Sequence, residues 1–274
     1  MKTSALFLTF LLAAISPGKN IEERDFGRIF DGHDGTIVVY DKSADKYIVH
    51  NKKRSGVRYT PFSTFKIPNS IIALETGILA DVEVVFPWDT TKYQSEAWWP
   101  AQWRDKHTMR TAIRYSVVPF YRNIASNIGE KKMKEYVTAF KYGNGDISSG
   151  VDNFWLNGSL SVSAMEQIEF LQKFYNNDLG VSERTIMLVK NILIQEETEN
   201  YRISAKTGGG NVVDKDNREM ALGWYVGYIE KGKDVFFFAH NIDGKDFAEI
   251  KDLRINITES VLKELKIVEK KSKN

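Results

Sequence analysis

The sequence predicts an α/β protein of the α+β type. An antiparallel sheet is assembled from the N- and C-terminal segments, flanked by helices, with a helical subdomain between them. Runs of strand character near both ends of the chain carry this reading, together with capped segments of helical period in the middle. The composition agrees, since 42% apolar residues over 274 positions suffice for a large core.

Residues 1–16 read as a leader ahead of that fold. Lys2 is a short basic head, Ser4 to Ile15 is an apolar stretch of 12 residues, and the small residues Ala14 and Ser16 precede Pro17. The stretch falls short of the roughly 18 residues that a membrane span needs. Export is therefore expected, to a periplasm or the cell exterior, with residues 17–274 as one domain and no membrane anchor. A buried N-terminal helix is the competing reading.

The remaining elements follow in order. Thr36–Tyr40 and Tyr47–His50 are strands joined by a polar turn. Ser63 opens a helix that Gly77 ends, and Pro68 is tolerated only near its first turn. Ser163 with Glu166 three residues on is a capping box, followed by Ala164, Ile168, Leu171 and Tyr175 at helical spacing. Ser182 starts a helix carrying Ile186, Val189 and Leu193. Ile203–Thr207 is a strand, and Leu222–Ile229 with Asp234–Ala239 forms a hairpin about 230–233. A last helix is expected from Glu259 to about Lys270, with Val261, Leu262, Leu265 and Val268 on one face.

Composition also excludes chemistry. Lys plus Arg number 38 against 36 Asp plus Glu, so the net charge of +2 gives no basis for nucleic-acid binding. The chain has no Cys, which rules out disulfides, zinc-thiolate centres, iron–sulfur clusters and a thiol nucleophile. The four His, at 33, 50, 107 and 240, lack metal-ligand spacing, so no metal is implied. Gly227 to Lys233 mimics the start of a phosphate-binding loop, but Asp234 replaces the required Ser or Thr.

Serine–lysine chemistry is what remains. Ser-x-x-Lys occurs four times, starting at Ser16, Ser43, Ser63 and Ser260. Ser16 sits at the leader boundary, Ser43 in a turn, and Ser260 on the polar face of the last helix. Ser63 and Lys66 share one face of a helix start, where Lys66 can reach the hydroxyl and backbone N–H groups favour a developing anion. A plain helix N-cap is the alternative role for Ser63. Farther on come Ser116 in Tyr115-Ser-Val-Val-Pro119 and Lys206-Thr-Gly208 at a strand end. An ordered trio of this kind marks penicillin-binding proteins and β-lactamases.

At these residues the chain resembles the class D (oxacillinase-type) serine β-lactamases. Ser63-Thr-Phe-Lys66, Ser116-Val-Val118, Tyr142-Gly-Asn144, Phe154-Trp-Leu-Asn-Gly158, Lys206-Thr-Gly208 and Leu253-Arg-Ile255 stand in that family's order across roughly residues 35–268. The resemblance implies a β-lactamase/penicillin-binding-protein-like fold and hydrolysis of a β-lactam through an acyl-enzyme on Ser63. It implies Lys66 as general base, carrying carbon dioxide as a carbamate that Trp155 would hold, and otherwise no cofactor. Ser116 would relay the proton and Lys206 would hold the hydrogen-bond network. Thr207 and Arg254 would take the substrate carboxylate, and Ser63 and Gly209 would supply the oxyanion hole. Val118 would line the site, with Tyr142 and Asn144 as wall and loop-shaping groups, a simple turn being the alternative role for that pair. The partner implied is a small β-lactam, with homodimerisation left open. Phe62 stands where many relatives carry a smaller residue, and Gly209-Gly210 where they often carry an aromatic or Ser; both departures bear on substrate range. Trp98-Trp99 is a rim or packing pair.

Two rival readings are a penicillin-sensing domain acylated once without turnover, and a cell-wall D,D-peptidase. The sensor reading lacks further transmembrane segments here, and the hydrophobic third residue of Ser116-Val-Val118 and Trp155 speak against the peptidase.

Overall fold

Strands β1 (Ile21–Glu23), β2 (Gly35–Asp41), β3 (Lys46–His50), β4 (Ile194–Glu197), β5 (Arg202–Val213), β6 (Glu219–Lys231) and β7 (Asp234–Gly244) form a single sheet in the order β1-β3-β2-β7-β6-β5-β4. This computed structural model describes residues 18–156, 158–213 and 219–269; the expected leader over 1–16 lies outside the described residues. The sheet joins the two ends of the chain as anticipated, because Ile37 of β2 pairs with His240 of β7. Every pairing is antiparallel except that of the short β1 with β3, which is parallel. The β6–β7 hairpin turns through two residues, with Gly232 at φ +59 taking the left-handed backbone that such a turn needs.

Both faces of the sheet are covered. Alternate residues of β2 go to opposite sides: Ile37 and Val39 to one core, Val38 and Tyr40 to the other. That double burial explains why the strand reads as a continuous apolar run. Helices α1 (Gly27–Phe30) and α9 (Phe247–Glu264) cover the first face. The second face carries the helical lobe: α3 (Lys66–Glu75), α4 (Met109–Arg114), α5 (Val118–Ile128), α6 (Glu130–Phe140), α7 (Ala164–Asn176) and α8 (Glu183–Ile192). The short α2 (Lys52–Ser55) follows β3. Helix α3 is buried from Lys66 to Leu74 and forms the lobe's axis. Burying Ile71 and Ile72 there is worth about 1.5–3 kcal/mol each. The capping box at Ser163 and the Ser182 cap stand where the sequence places them.

Three expectations need correction. Ser63 lies in a 3₁₀ turn, Phe62–Phe65, that precedes α3, and it makes no side-chain cap. The strand expected at Ile203–Thr207 runs on to Val213, because its pairing with β6 continues through the glycines to Glu219. Helix α9 begins at Phe247, capped by Asp246, twelve residues before Glu259, and ends at Glu264. Its buried stripe is Ile250, Arg254, Ile257, Val261, so a cation interrupts the apolar period that would have revealed the first turns.

Candidate active site

A cavity of about 1070 Å³ opens between the helical lobe and the β5 edge. Ser63, Ser116, Val118, Thr207, Gly208, Gly209 and Arg254 line it. Lys66, Lys206 and Trp155 are not on its surface; they are buried, at 0%, 5% and 0% exposure.

The turn bearing Ser63 is held from three sides. Gln167 of α7 donates Nε2 to Thr64 Oγ1 (2.9 Å), Thr64 donates to the Pro61 carbonyl (2.8 Å), and Tyr142 donates to Gln167 Oε1 (3.3 Å). From the sheet, Trp224 Nε1 donates to the Thr60 carbonyl (3.0 Å). Strand β5 presses against the same turn, since a Cβ at Gly208 would lie 2.8 Å from the Pro61 carbonyl oxygen. That close approach is the physical reason for glycine after Lys206-Thr207. Two bulky or polar residues here adopt left-handed backbone: Phe62 at φ +50 and Ser116 at φ +56. Non-glycine residues held this way cost of order 1–3 kcal/mol and cluster at functional sites.

Lys66 Nζ lies 2.7 Å from Ser63 Oγ, the contact that the i, i+3 spacing anticipates. Burial drives the Lys66 pKa well below that of an exposed lysine, and the nearby Lys206 lowers it further. The surroundings are aromatic: Nζ sits 5.3 Å from the Tyr121 ring centroid, and Phe65 stacks on Trp155 at 5.4 Å. The Trp155 indole N–H is buried without a hydrogen-bond partner among the described residues. A donor in that state costs free energy unless something accepts from it.

The β5 side is polar. Lys206 Nζ donates to the Thr207 carbonyl (2.9 Å), and burial together with Arg254 brings its pKa down to about 7. Arg254 reaches across from α9, donating Nη1 to the Gly208 carbonyl and Nε to the Lys251 carbonyl (3.1 Å), and Phe247 stands 5.5 Å from its guanidinium. Burial lowers its pKa to about 10 against a smaller opposing pull from Asp252, and since it forms no ion pair among the described residues, its charge is available to the cavity it lines. His240 donates Nδ1 to the Arg254 carbonyl (3.0 Å) and ties that part of α9 to β7; burial keeps it neutral, with a pKa of about 3.

These contacts leave a serine hydroxyl against a lysine that favours its neutral form, facing a buried cationic seat for an anion. The family model described as "Penicillin binding protein transpeptidase domain" matches residues 35–265. Beta-lactamase OXA-48 of Klebsiella pneumoniae is 39% identical over 98% of this chain and 100% of its own length. The crystal structure of the class D β-lactamase YbXI from Nostoc superposes with a TM-score of 0.81 at 37% identity, covering 88% of this chain and 98% of that one. The chain belongs to the class D β-lactamases. It is thus a serine hydrolase of the penicillin-binding-protein-like fold. Regulatory protein BlaR1 of Bacillus licheniformis is 33% identical over 84% of this β-lactamase, but the match takes up 37% of that longer protein.

Several groups of the site escape a sequence reading. Thr64, which stands inside Ser63-Thr-Phe-Lys66 with no role read for it, and Gln167, which belongs to no motif, hold the nucleophile turn. Trp103 donates to the Tyr115 carbonyl (2.8 Å), fixing the segment that bears Ser116. Both members of the tryptophan pair line the cavity, Trp99 as a buried side chain and Trp98 at 62% exposure. No helix of the described residues is long and apolar enough to cross a membrane.

Proposed function

We propose that Ser63 opens the β-lactam ring of penicillin-type substrates and that water then releases the acyl group. The 2.7 Å contact between Lys66 Nζ and Ser63 Oγ, made by a buried lysine, carries this reading. A serine hydroxyl needs a base before it can attack, and the neutral amine can take its proton across that contact. The Oγ–carbonyl bond forms, the ring C–N bond breaks, and Ser116 passes the proton to the departing nitrogen. Arg254 and Thr207 seat the substrate carboxylate, with a guanidinium suited to two parallel donations, while Lys206 anchors the network between them. The backbone N–H groups of Ser63 and Gly209 receive the developing oxyanion, a contribution of about 10²–10³ in rate for a single donor in other acyl-transfer enzymes. Val118 and Trp98 form walls around the acyl side chain.

The surroundings of Lys66 also fit a carbamate made from carbon dioxide. Only a neutral amine combines with carbon dioxide, and Lys66 is driven toward that form. Trp155 holds an unpartnered buried donor that an added oxygen would satisfy, and an anion at position 66 would relieve the repulsion from Lys206. When present, the group supplies an anionic base for both proton transfers. Isotope-labelled bicarbonate should give a carbamate carbon signal that Lys66→Ala loses; its absence from the native protein at saturating bicarbonate would exclude the modification.

Export directed by residues 1–16 belongs to the same proposal, tested by the mass of the protein recovered outside the cytoplasm. The decisive experiment for the activity mixes the purified protein with excess benzylpenicillin, counts product per protein, and maps the trapped acyl group by mass spectrometry. Many turnovers with the adduct on Ser63 support the hydrolase. One equivalent followed by silence favours a sensor or peptidase instead.

A further inference from the structure

Phe62, the residue before the nucleophile, is held in an unusual way. Its backbone is left-handed at φ +50, a conformation costly for an aromatic residue, and its side chain is 6% exposed yet borders the cavity. The ring has a definite seat. Along β5, Gly208 and Gly210 turn one face toward the nucleophile turn, while Gly209 turns the other toward Arg254 and Ile250. A Cβ at Gly210 would lie 2.4 Å from Cε1 of Phe62 and within 2.9 Å of two further ring carbons. The ring thus occupies the volume that any side chain at position 210 would need. Gly210 has no positive φ to explain it, so the glycine is required there by contact rather than by conformation.

We propose that Phe62 and Gly210 are a matched pair that sets the width of the cleft beside Ser63, making Phe62 a specificity-determining residue for the acyl group of the substrate. The inference rests on the β-lactam reading of the site. With the strand side bare at 210, the wall beside the nucleophile is built by an aromatic ring covalently adjacent to Ser63. A side chain at 210 pushes that ring, and the push is transmitted to Oγ. Removal of the ring leaves a bare strand and a wider cleft. The substrates favoured by the native pair are β-lactams with a flexible methylene next to the side-chain carbonyl. Those disfavoured carry a bulky, directly attached ring or a branched group there.

A double-mutant cycle tests this with Phe62→Ala, Gly210→Ala and the combined variant, each assayed on benzylpenicillin and on oxacillin, whose ring is attached directly. Gly210→Ala alone is expected to lower kcat/KM about tenfold on both substrates, and Phe62→Ala in the same chain to restore most of it, since contacting residues couple. Phe62→Ala alone should shift the oxacillin-to-benzylpenicillin ratio of kcat/KM about tenfold in favour of oxacillin, the scale on which pocket shape discriminates. Strictly multiplicative effects, or an unmoved ratio, would overturn the pair. The melting temperatures of the four proteins read the same coupling without turnover: Gly210→Ala lowers the native value but not that of Phe62→Ala. Phe62→Leu supplies a second probe should the alanine variant not fold. Hydrolysis with no coupling sinks this inference alone, whereas coupling without hydrolysis sinks the proposed activity alone.

Discussion

The two walls of the cleft are made of different material. On the helical side, Lys66 Nζ lies over the Tyr121 ring and, among the described residues, makes its one polar contact with Ser63, while Phe65 stacks on Trp155, whose indole donor is bare. On the sheet side, Lys206 and Arg254 are also buried, but each donates to backbone carbonyls and keeps a pKa of about 7 and about 10, respectively. Lysine is thus driven toward neutrality on both walls, Lys66 well below its usual range and Lys206 down to about 7. Desolvation is the first cause in both cases and a neighbouring cation the second, Lys206 for Lys66 and Arg254 for Lys206; what differs is the company, an aromatic ring on one wall and a carbonyl oxygen on the other. The difference divides labour: the apolar wall suits proton abstraction, the polar wall suits holding an anion.

Substitutions sharpen or break that division. Ser63→Ala on the helical wall should reduce turnover by about 10⁶-fold, the loss typical of a missing serine nucleophile; covalent labelling by penicillin at another residue would break the assignment. Lys66→Ala should cost about 10⁴-fold in kcat, the upper range for general-base removal, with substrate affinity little changed. Arg254→Ala on the sheet wall should instead raise KM about 10–100-fold, as expected for losing charged hydrogen bonds. An equal fall in kcat would show that the sheet wall takes part in the chemical step after all.

The pH dependence of stability provides a quieter contrast. Lys206 has its pKa lowered to about 7 from 10.5, so the folded protein binds its proton less readily than the unfolded chain. Burial of the ammonium therefore destabilises the fold fully below pH 7, and the penalty fades as pH rises from there toward 10.5. Measured in the bicarbonate-depleted protein, the melting temperature of Lys206→Met relative to the native chain should be most favourable at pH 6 and decline by pH 9. A difference independent of pH would mean that Lys206 is not desolvated as described. The smallest effect belongs to the rim: Trp98→Ala should change stability by less than about 0.5 kcal/mol and raise KM a few-fold for substrates with aromatic side chains.

How much of this is legible in the chain differs between the walls. The helical wall announces itself locally, because Ser63 and Lys66 meet through spacing alone, and Gly77 marks the end of α3 with φ +74. The sheet wall needs tertiary structure. Arg254 reaches the cleft only because α9 starts at Phe247 and lies on the sheet, and its charge within the buried stripe is what hides those turns from a periodicity argument. The β5 extension through Gly208, Gly209 and Gly210 is invisible for a related reason: glycine carries no strand propensity, and its presence is explained by Pro61, Thr64, Arg254 and Phe62 pressing on the strand. Thr64 and Gln167 could not be found from spacing, since 103 residues separate the two ends of their hydrogen bond.

The pairing of β2 with β7 also governs how the protein is made. Ile37 leaves the ribosome some 200 residues before its partner His240, an interval of about 10–40 s at ordinary elongation rates. Throughout that time one edge of β2 lacks its neighbour, a template for unwanted strand pairing. The nucleophile turn likewise waits for β5 and Trp224 before it is braced. A chain cut short ahead of β7 would present an adhesive strand edge in place of a finished sheet, and whatever holds the nascent chain meanwhile must shield a strand rather than a helix.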